Sequence, residues 1–472
     1  MRASGRTKKR DAFDRTLLAP MMVGSVLNPV NSSIISVSLV PIGVAFGAPP
    51  SDTAWLISAL YLATAIGQPV MGRLIDLYGP RRLFLAGTAL TGIAGVVGML
   101  APNLGVLVAA RVLLGLGTCC GYPAAMYLIR SEAERTGRDG PVGVLTALAV
   151  TTQTIAVIGP PLGGLLIGLG GWRATLALNI PLAVAGLILG WLRLPKTAPR
   201  RQASGERLVT DLDLPGMALF AAMLVSLLLF LMKPQVSNWY LIVLMVLAGA
   251  GFVLRELRVA QPFLDLRVLG GNLPLLTTYA RALLAYVVSY AFLYGYTQWM
   301  EDGRGLSASQ AGLTQLPLFA TAIIVSATTG RRKEIRGKLL AGAVGQIASC
   351  LLLVLLHTHS AIWLMLVVAM VFGIPQGLNN LALQNSVYYQ ADSARMGSSA
   401  GLLRTFGYLG AIVASAANGA FFGQRADTSG LHHLAWFMLA AGALFLTITV
   451  ADRSLTRIRG AGSDKAAADE AP

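Results

Sequence analysis

The sequence predicts an all-α polytopic membrane protein with fourteen transmembrane helices. Three observations lead there. Of 472 residues, 55% are hydrophobic and only 12% charged, about half the roughly 25% charged share of an ordinary soluble domain. Apolar runs long enough to cross hydrocarbon as helices, about 18 residues or more, recur along the whole chain. The basic residues sit in short links between those runs, so the net charge of +16 is a signal of membrane orientation rather than of nucleic-acid binding. This composition sets aside a soluble enzyme, a secreted disulfide scaffold and a nucleic-acid partner.

Read in order, the runs bounded by charges, Pro and Gly cover residues 16–45, 53–71, 83–101, 104–129, 142–169, 174–192, 214–232, 239–254, 273–299, 308–329, 339–357, 361–389, 399–422 and 433–451. Residues 1–15 form a basic tail with no small-residue cleavage site, so the first helix is read as uncleaved. Spans one to six fill residues 16–193, and a basic polar linker, 194–213, separates them from the rest. Spans seven and eight (214–254) form a pair, the last six occupy 255–452, and a polar tail closes the chain at 453–472. The eighth span is the shortest and is interrupted by glycine.

Lys and Arg set the orientation. Of 37, four fall in one set of loops (Arg173, Lys233, Arg304, Arg425), three inside spans (Arg111, Arg281, Arg404) and 30 in the opposite segments. The positive-inside bias therefore puts both termini in the cytoplasm. Cys119, Cys120 and Cys350 show no CxxC spacing and read as small apolar helix residues. No GxxxxGK[ST] phosphate loop occurs, and the spans hold no nucleophile–base pair or metal cluster, so no enzymatic activity, metal or cofactor is expected.

Three stretches carry more specific information. After span two comes Gly72-Arg-Leu-Ile-Asp76-Leu-Tyr-Gly79-Pro-Arg81-Arg82, a glycine-bracketed link in which Asp76 faces two arginines across a tight turn. Span four holds Arg111-Val-Leu-Leu-Gly115-Leu-Gly117; an arginine at such depth is costly unless it is paired or lines a wet cavity. Span five holds Gly159-Pro160-Pro161-Leu-Gly163-Gly164, where small residues let helices approach and the prolines bend the axis.

In this order and at these spans, the three stretches resemble the signatures of the major facilitator superfamily. Gly72–Arg82 looks like its loop 2–3 motif, Arg111–Gly117 its span-four motif, and Gly159–Gly164 the span-five motif that marks its antiporters. With two extra helices between six-helix halves, the chain is similar to the fourteen-helix drug:proton antiporter branch. The resemblance implies two pseudo-symmetric six-helix bundles plus a two-helix insert, in a bacterial plasma membrane. It further implies proton-coupled export of small amphiphilic compounds by alternating access. Gly72, Asp76, Gly79, Arg81 and Arg82 would then form the cytoplasmic gate and Arg111 would couple protons. Gly159, Pro160, Gly163 and Gly164 would shape the outer half of span five. The expected partners are a small-molecule substrate, protons and the lipid bilayer, and the expected state is a monomer. The alternatives are an uptake permease or facilitator for a neutral or anionic metabolite, and a non-transporting receptor or scaffold.

Neutral polar residues inside the spans are candidates for the substrate cavity: Asn28, Asn31, Gln153, Tyr286, Tyr290, Gln376 and Asn380. The same groups could instead join helices by hydrogen bonds. All 21 acids fall in loops or at helix ends, and the four histidines fall near the outer face. Arg281 and Arg404 lie within about three turns of the cytoplasmic helix ends. There they either snorkel to headgroups or form a site for an anion or neutral amphiphile.

Overall fold

The computed structural model describes residues 13–136, 142–196, 213–233, 235–259, 262, 266–329, 334–391, 396–452 and 454–455. Among the described residues the chain is helical, with no β-strand. Thirteen segments are long and apolar enough to cross a membrane, and the apolar stretch Ile158–Gly170 of the helix Val142–Gly170 holds the fifth position. Each segment overlaps one of the fourteen expected runs, including the weak eighth, which is the helix Trp239–Glu256.

The helix ends follow local chemistry. Pro50 and Pro80 occupy first-turn positions, where the missing N–H costs nothing. Asn103 and Asn272 cap spans four and nine by accepting from the Val106 and Leu275 amides at 2.9 and 3.0 Å. Ser307 and Gln310 form a reciprocal capping box at the start of span ten.

Two expectations need correction, and span four carries a local irregularity. The link after span two is not a loop from Gly72: the helix Pro50–Tyr78 runs through it, and the turn is Gly79 alone, at φ +83°. Span one is not continuous: Leu18–Ile34 passes into a 3₁₀ turn, Ile35–Val37, and a short helix, Leu39–Phe46. Span four crosses over Leu104–Ile129 as expected, with a local interruption at Cys119–Cys120 between Leu104–Thr118 and Gly121–Thr136. The break lies where Gly121 packs directly on the Gly24 backbone of span one, leaving no room for a Cβ.

Packing sorts the helices. Span one lies on spans five and six, span two on four, and span three on four and six. In the second half of the chain, span nine lies on thirteen and fourteen, ten on twelve, and eleven on twelve and fourteen. The most extensive contacts between these groups are span two with thirteen and span five with ten. Spans seven and eight pair with each other, and seven lies across spans two and thirteen.

Arg281 neither snorkels nor stands as a free cation. Its guanidinium is fully buried and meets Asp452, just past the end of span fourteen, at 3.0 Å. Thr277 also donates to that carboxylate. Burial opposes ionisation of Asp452, but hydrogen bonds from Ser454 and the Arg281 charge outweigh it and hold the carboxyl below its usual range. Asp452→Asn should therefore strand a buried cation and destabilise the fold by about 3–5 kcal/mol. Thermal unfolding in detergent checks this, and Arg281→Met in the same chain should recover most of the loss. Because the Asp452 pKa is depressed in the fold, its contribution is complete at neutral pH. It is lost only as pH falls through that lowered value.

Candidate functional site

The candidate site lies at mid-depth, where the first six and last six spans face each other. Arg111 anchors one wall. It is 1% exposed; its Nε donates to the Leu56 carbonyl of span two at 3.0 Å, and an Nη donates to the Asn31 carbonyl of span one at 3.4 Å. The Asn31 carbonyl is offered because the turn at Ile35 directs that amide to Ser33 instead. Arg111 is thus tied to two neighbouring helices and does not reach for headgroups.

The Asn31 side chain joins helices. Asn31 and Asn179 of span six exchange amide hydrogen bonds at 2.7 and 2.9 Å, and both are buried. Asn28 is half-buried and donates toward Thr118 and Thr64 at 3.2 and 3.5 Å, which places it on the inner wall of the first group.

Tyrosines form the opposite wall. Tyr286, Tyr290 and Tyr294 stack in succession along span nine, with ring centroids 6.1 and 5.8 Å apart. Tyr61 of span two joins them from the other group: its ring lies 5.2 Å from Tyr290 and its hydroxyl 2.8 Å from that of Tyr294. Tyr408 of span thirteen stacks on Tyr61 at 5.7 Å. Arg404, one turn from Tyr408, places its guanidinium 3.7 Å from the Tyr122 ring of the first group. Beside this cluster, Ser289 donates to Gln376 at 2.6 Å, and Tyr286 and Gln384 approach the Asn380 oxygen at 3.5 and 3.0 Å. Tyr286, Gln376 and Asn380 thereby line one small polar recess between spans nine and twelve.

The glycines of span five make two seams. On one face, Gly159 abuts the Ser33 hydroxyl, and a Cβ on Gly163 would lie 2.7 Å from Val37, which fits span five against span one. On the other face, a Cβ on Gly164 would meet Ser309 of span ten at 2.6 Å, and one on Gly312 would meet the Pro160 carbonyl at 2.5 Å. Ser309 donates to the Gly164 carbonyl at 2.7 Å. Spans two and thirteen close likewise: Ser415 donates to the Ala54 carbonyl at 2.7 Å, and Gly419 packs on Ser51. All these contacts lie toward the end that the sequence assigns to the outside. Beyond them is a cavity of about 300 Å³ lined by Leu39, Val40, Gly43, Val44, Gly47, Ala48, Pro49, Pro50, Thr53, Gln298, Asp302, Gln424 and Arg425.

At the opposite end, Arg81 donates to the Trp191 carbonyl of span six at 2.8 Å and lies over its ring, while Arg82 is exposed. Gly72 has open space around it, so close packing does not require glycine there. The side chains of Asp76 and Gln153 lie outside the described residues. Sequence reasoning missed Tyr61, Tyr122, Tyr408 and Asn179. Their signal was a polar tip deep inside an apolar run.

Two outcomes follow. Asn31→Leu should leave the buried Asn179 side-chain oxygen without a donor, its Nδ2 still reaching the Leu176 carbonyl, and cost about 1–3 kcal/mol in a detergent melt, part of which Asn179→Leu restores. Gly312→Val should pry spans five and ten apart. The parent should protect a Ser415→Cys thiol from an impermeant maleimide, and Gly312→Val should raise its labelling rate roughly tenfold.

Comparison with known proteins agrees with this geometry. The family profile described as Major Facilitator Superfamily matches residues 21–415. The MFS-type transporter YwoD of Bacillus subtilis (strain 168) is 32% identical over 94% of this chain and 97% of its own. A tetracenomycin C resistance and export protein of Streptomyces glaucescens is 28% identical over 67% of this chain and 58% of its own. A solved structure from work on proton-dependent oligopeptide transporters shares the fold, with a TM-score of 0.65 at 13% identity, covering 94% of this chain and 98% of that one. With its polytopic all-α fold and the matches spanning most of its length, the chain belongs to the major facilitator superfamily.

Proposed function

We propose that this transporter exports small amphiphilic compounds by proton antiport, with spans one to six and nine to fourteen rocking as two bundles about the mid-depth site. In this reading both termini are cytoplasmic, the membrane is a bacterial plasma membrane and the working unit is a monomer. The observation that carries it is the pair of glycine seams between spans five and ten and spans two and thirteen. They close one end by backbone contact, while Tyr122, Tyr286, Tyr290 and Arg404 below them stay partly exposed. Contacts made through small residues are dense when closed and separate without leaving large side chains behind. The antiporter-type motif of span five supplies one of those seams, and relatives named for resistance and export support the outward direction.

Arg111 keeps its charge at any working pH, so its part in coupling is electrostatic and positional. It holds the carbonyls of spans one and two together beside the Tyr61–Tyr294 contact. One proton moving down 100 mV releases about 2.3 kcal/mol, enough for roughly a 50-fold concentration ratio.

Everted membrane vesicles carrying the protein should accumulate amphiphilic dyes on energisation and lose them on adding an uncoupler. Arg111→Ala should abolish that accumulation at unchanged membrane insertion. Accumulation that persists in the variant removes Arg111 from the mechanism. A second reading, uptake of a small neutral or anionic metabolite, draws on the basic character of Arg404 and predicts substrate entry into intact cells with no accumulation in everted vesicles.

A further inference from the structure

We infer that the mid-depth site selects aromatic organic anions and that Arg404 is the residue that reads them. This rests on the transporter reading for the location of the site and adds the substrate class.

The starting point is how three arginines within the spans are satisfied. Arg281 has a carboxylate at 3.0 Å. Arg111 has two backbone carbonyls. Arg404 differs: its guanidinium lies over the Tyr122 ring, has the Tyr408 side chain as a hydrogen-bond partner and Tyr286 nearby, and among the described residues no carboxylate pairs with it. It lies eight residues into the helix that begins at Met396, about 12 Å along the axis. A ring face compensates a cation less fully than a carboxylate does. With no carboxylate partner and part of its surface exposed, the guanidinium can take an anion as its complement. A carboxylate or sulfonate offers two oxygens that match its planar fork. A cation in the same place would be repelled.

The surroundings specify the rest of the ligand. Tyr61, Tyr286, Tyr290 and Tyr408 form a linked run of rings, at whose exposed members, Tyr286 and Tyr290, a planar aromatic body can stack. Tyr61 and Tyr408 are buried against each other and back the cluster, whereas Tyr286, Tyr290, Tyr122 and Arg404 keep part of their surface exposed, and it is these that a ligand can reach. The Gln376 and Asn380 carboxamides border them and can take a polar substituent.

The Arg404–Tyr122 contact also crosses between the two groups of helices, from span thirteen to the inner part of span four. An aromatic anion that takes the guanidinium competes with Tyr122 for it. Binding and the loosening of that cross-group contact are then one event.

The test uses three probes of the same shape: 2-naphthoate, 2-naphthamide and 2-naphthylmethylammonium. Each is titrated calorimetrically into the purified full-length protein in lipid nanodiscs. Naphthoate should bind about tenfold or more tighter than the amide, with the ammonium weakest. Arg404→Gln should bring naphthoate to the level of the amide and leave the amide unchanged. Arg404→Lys should keep part of the preference, because it retains charge but not the fork. A thermal melt of each variant establishes folding, and the unchanged amide affinity reports an intact site. The inference is overturned if the ammonium binds as well as naphthoate, if Arg404→Gln keeps the preference, or if no probe binds at millimolar concentration. The two readings fail separately. Arg404-dependent naphthoate binding without any export in vesicles would sink the export proposal alone. Proton-driven export confined to cations and indifferent to Arg404→Gln would sink this inference alone.

Discussion

Within hydrocarbon there is no water to satisfy a polar group, so each one in these spans needs its partner inside the protein. That constraint organises the structure. It sends Arg111 to the carbonyls of Leu56 and Asn31, and it pairs Asn31 with Asn179 so that two carboxamides satisfy each other. It ties Arg281 to Asp452, and it brings the Ser309 and Ser415 hydroxyls to carbonyls on facing helices. Where glycine lets two backbones approach, the hydrogen bond and the packing contact form together.

The same constraint separates fixed from movable contacts. The bonds of Arg111 and Asn31 lie within the first six spans, and the Arg281–Asp452 pair lies within the last six; these hold each group together. The contacts between groups are of a different kind: glycine against backbone, serine to carbonyl, tyrosine on tyrosine, and a guanidinium on a ring. Each is short-ranged and modest, and each can be exchanged for water or for a ligand. The proposed alternating-access cycle requires interfaces that break in this way between bodies that do not.

Much of the fold was legible in the sequence because length and hydrophobicity decide whether a segment crosses a membrane. The helix starts at Pro50 and Pro80 lie three residues before the expected ones, because proline is tolerated in a first turn. What stayed hidden depends on partners distant in the chain. The break at Cys119–Cys120 lies in an unbroken apolar run and accompanies the contact of Gly121 with Gly24. Asn31 could equally line a cavity or join helices until its partner, 148 residues away, was seen. Arg281 looked like a free cation because Asp452 lies at the far end of span fourteen. For the site, the tyrosines of span nine were legible from their four-residue spacing. Tyr61, Tyr122 and Tyr408 were not, since each is single on its helix face and gains meaning only where the two groups meet.

The claim that the glycine seams close one end of a two-state machine can be measured as a pair of distances. Spin labels at Leu169→Cys and Leu313→Cys sit on exposed positions of spans five and ten at the seam end, and labels at Ser131→Cys and Thr328→Cys sit at the opposite end. Electron–electron double resonance in nanodiscs, across a pH range and with a transported compound, should show two populations. The first pair should lengthen where the second shortens, in matched proportion. A single unvarying distance for both pairs, or movement of both in the same direction, would contradict the account.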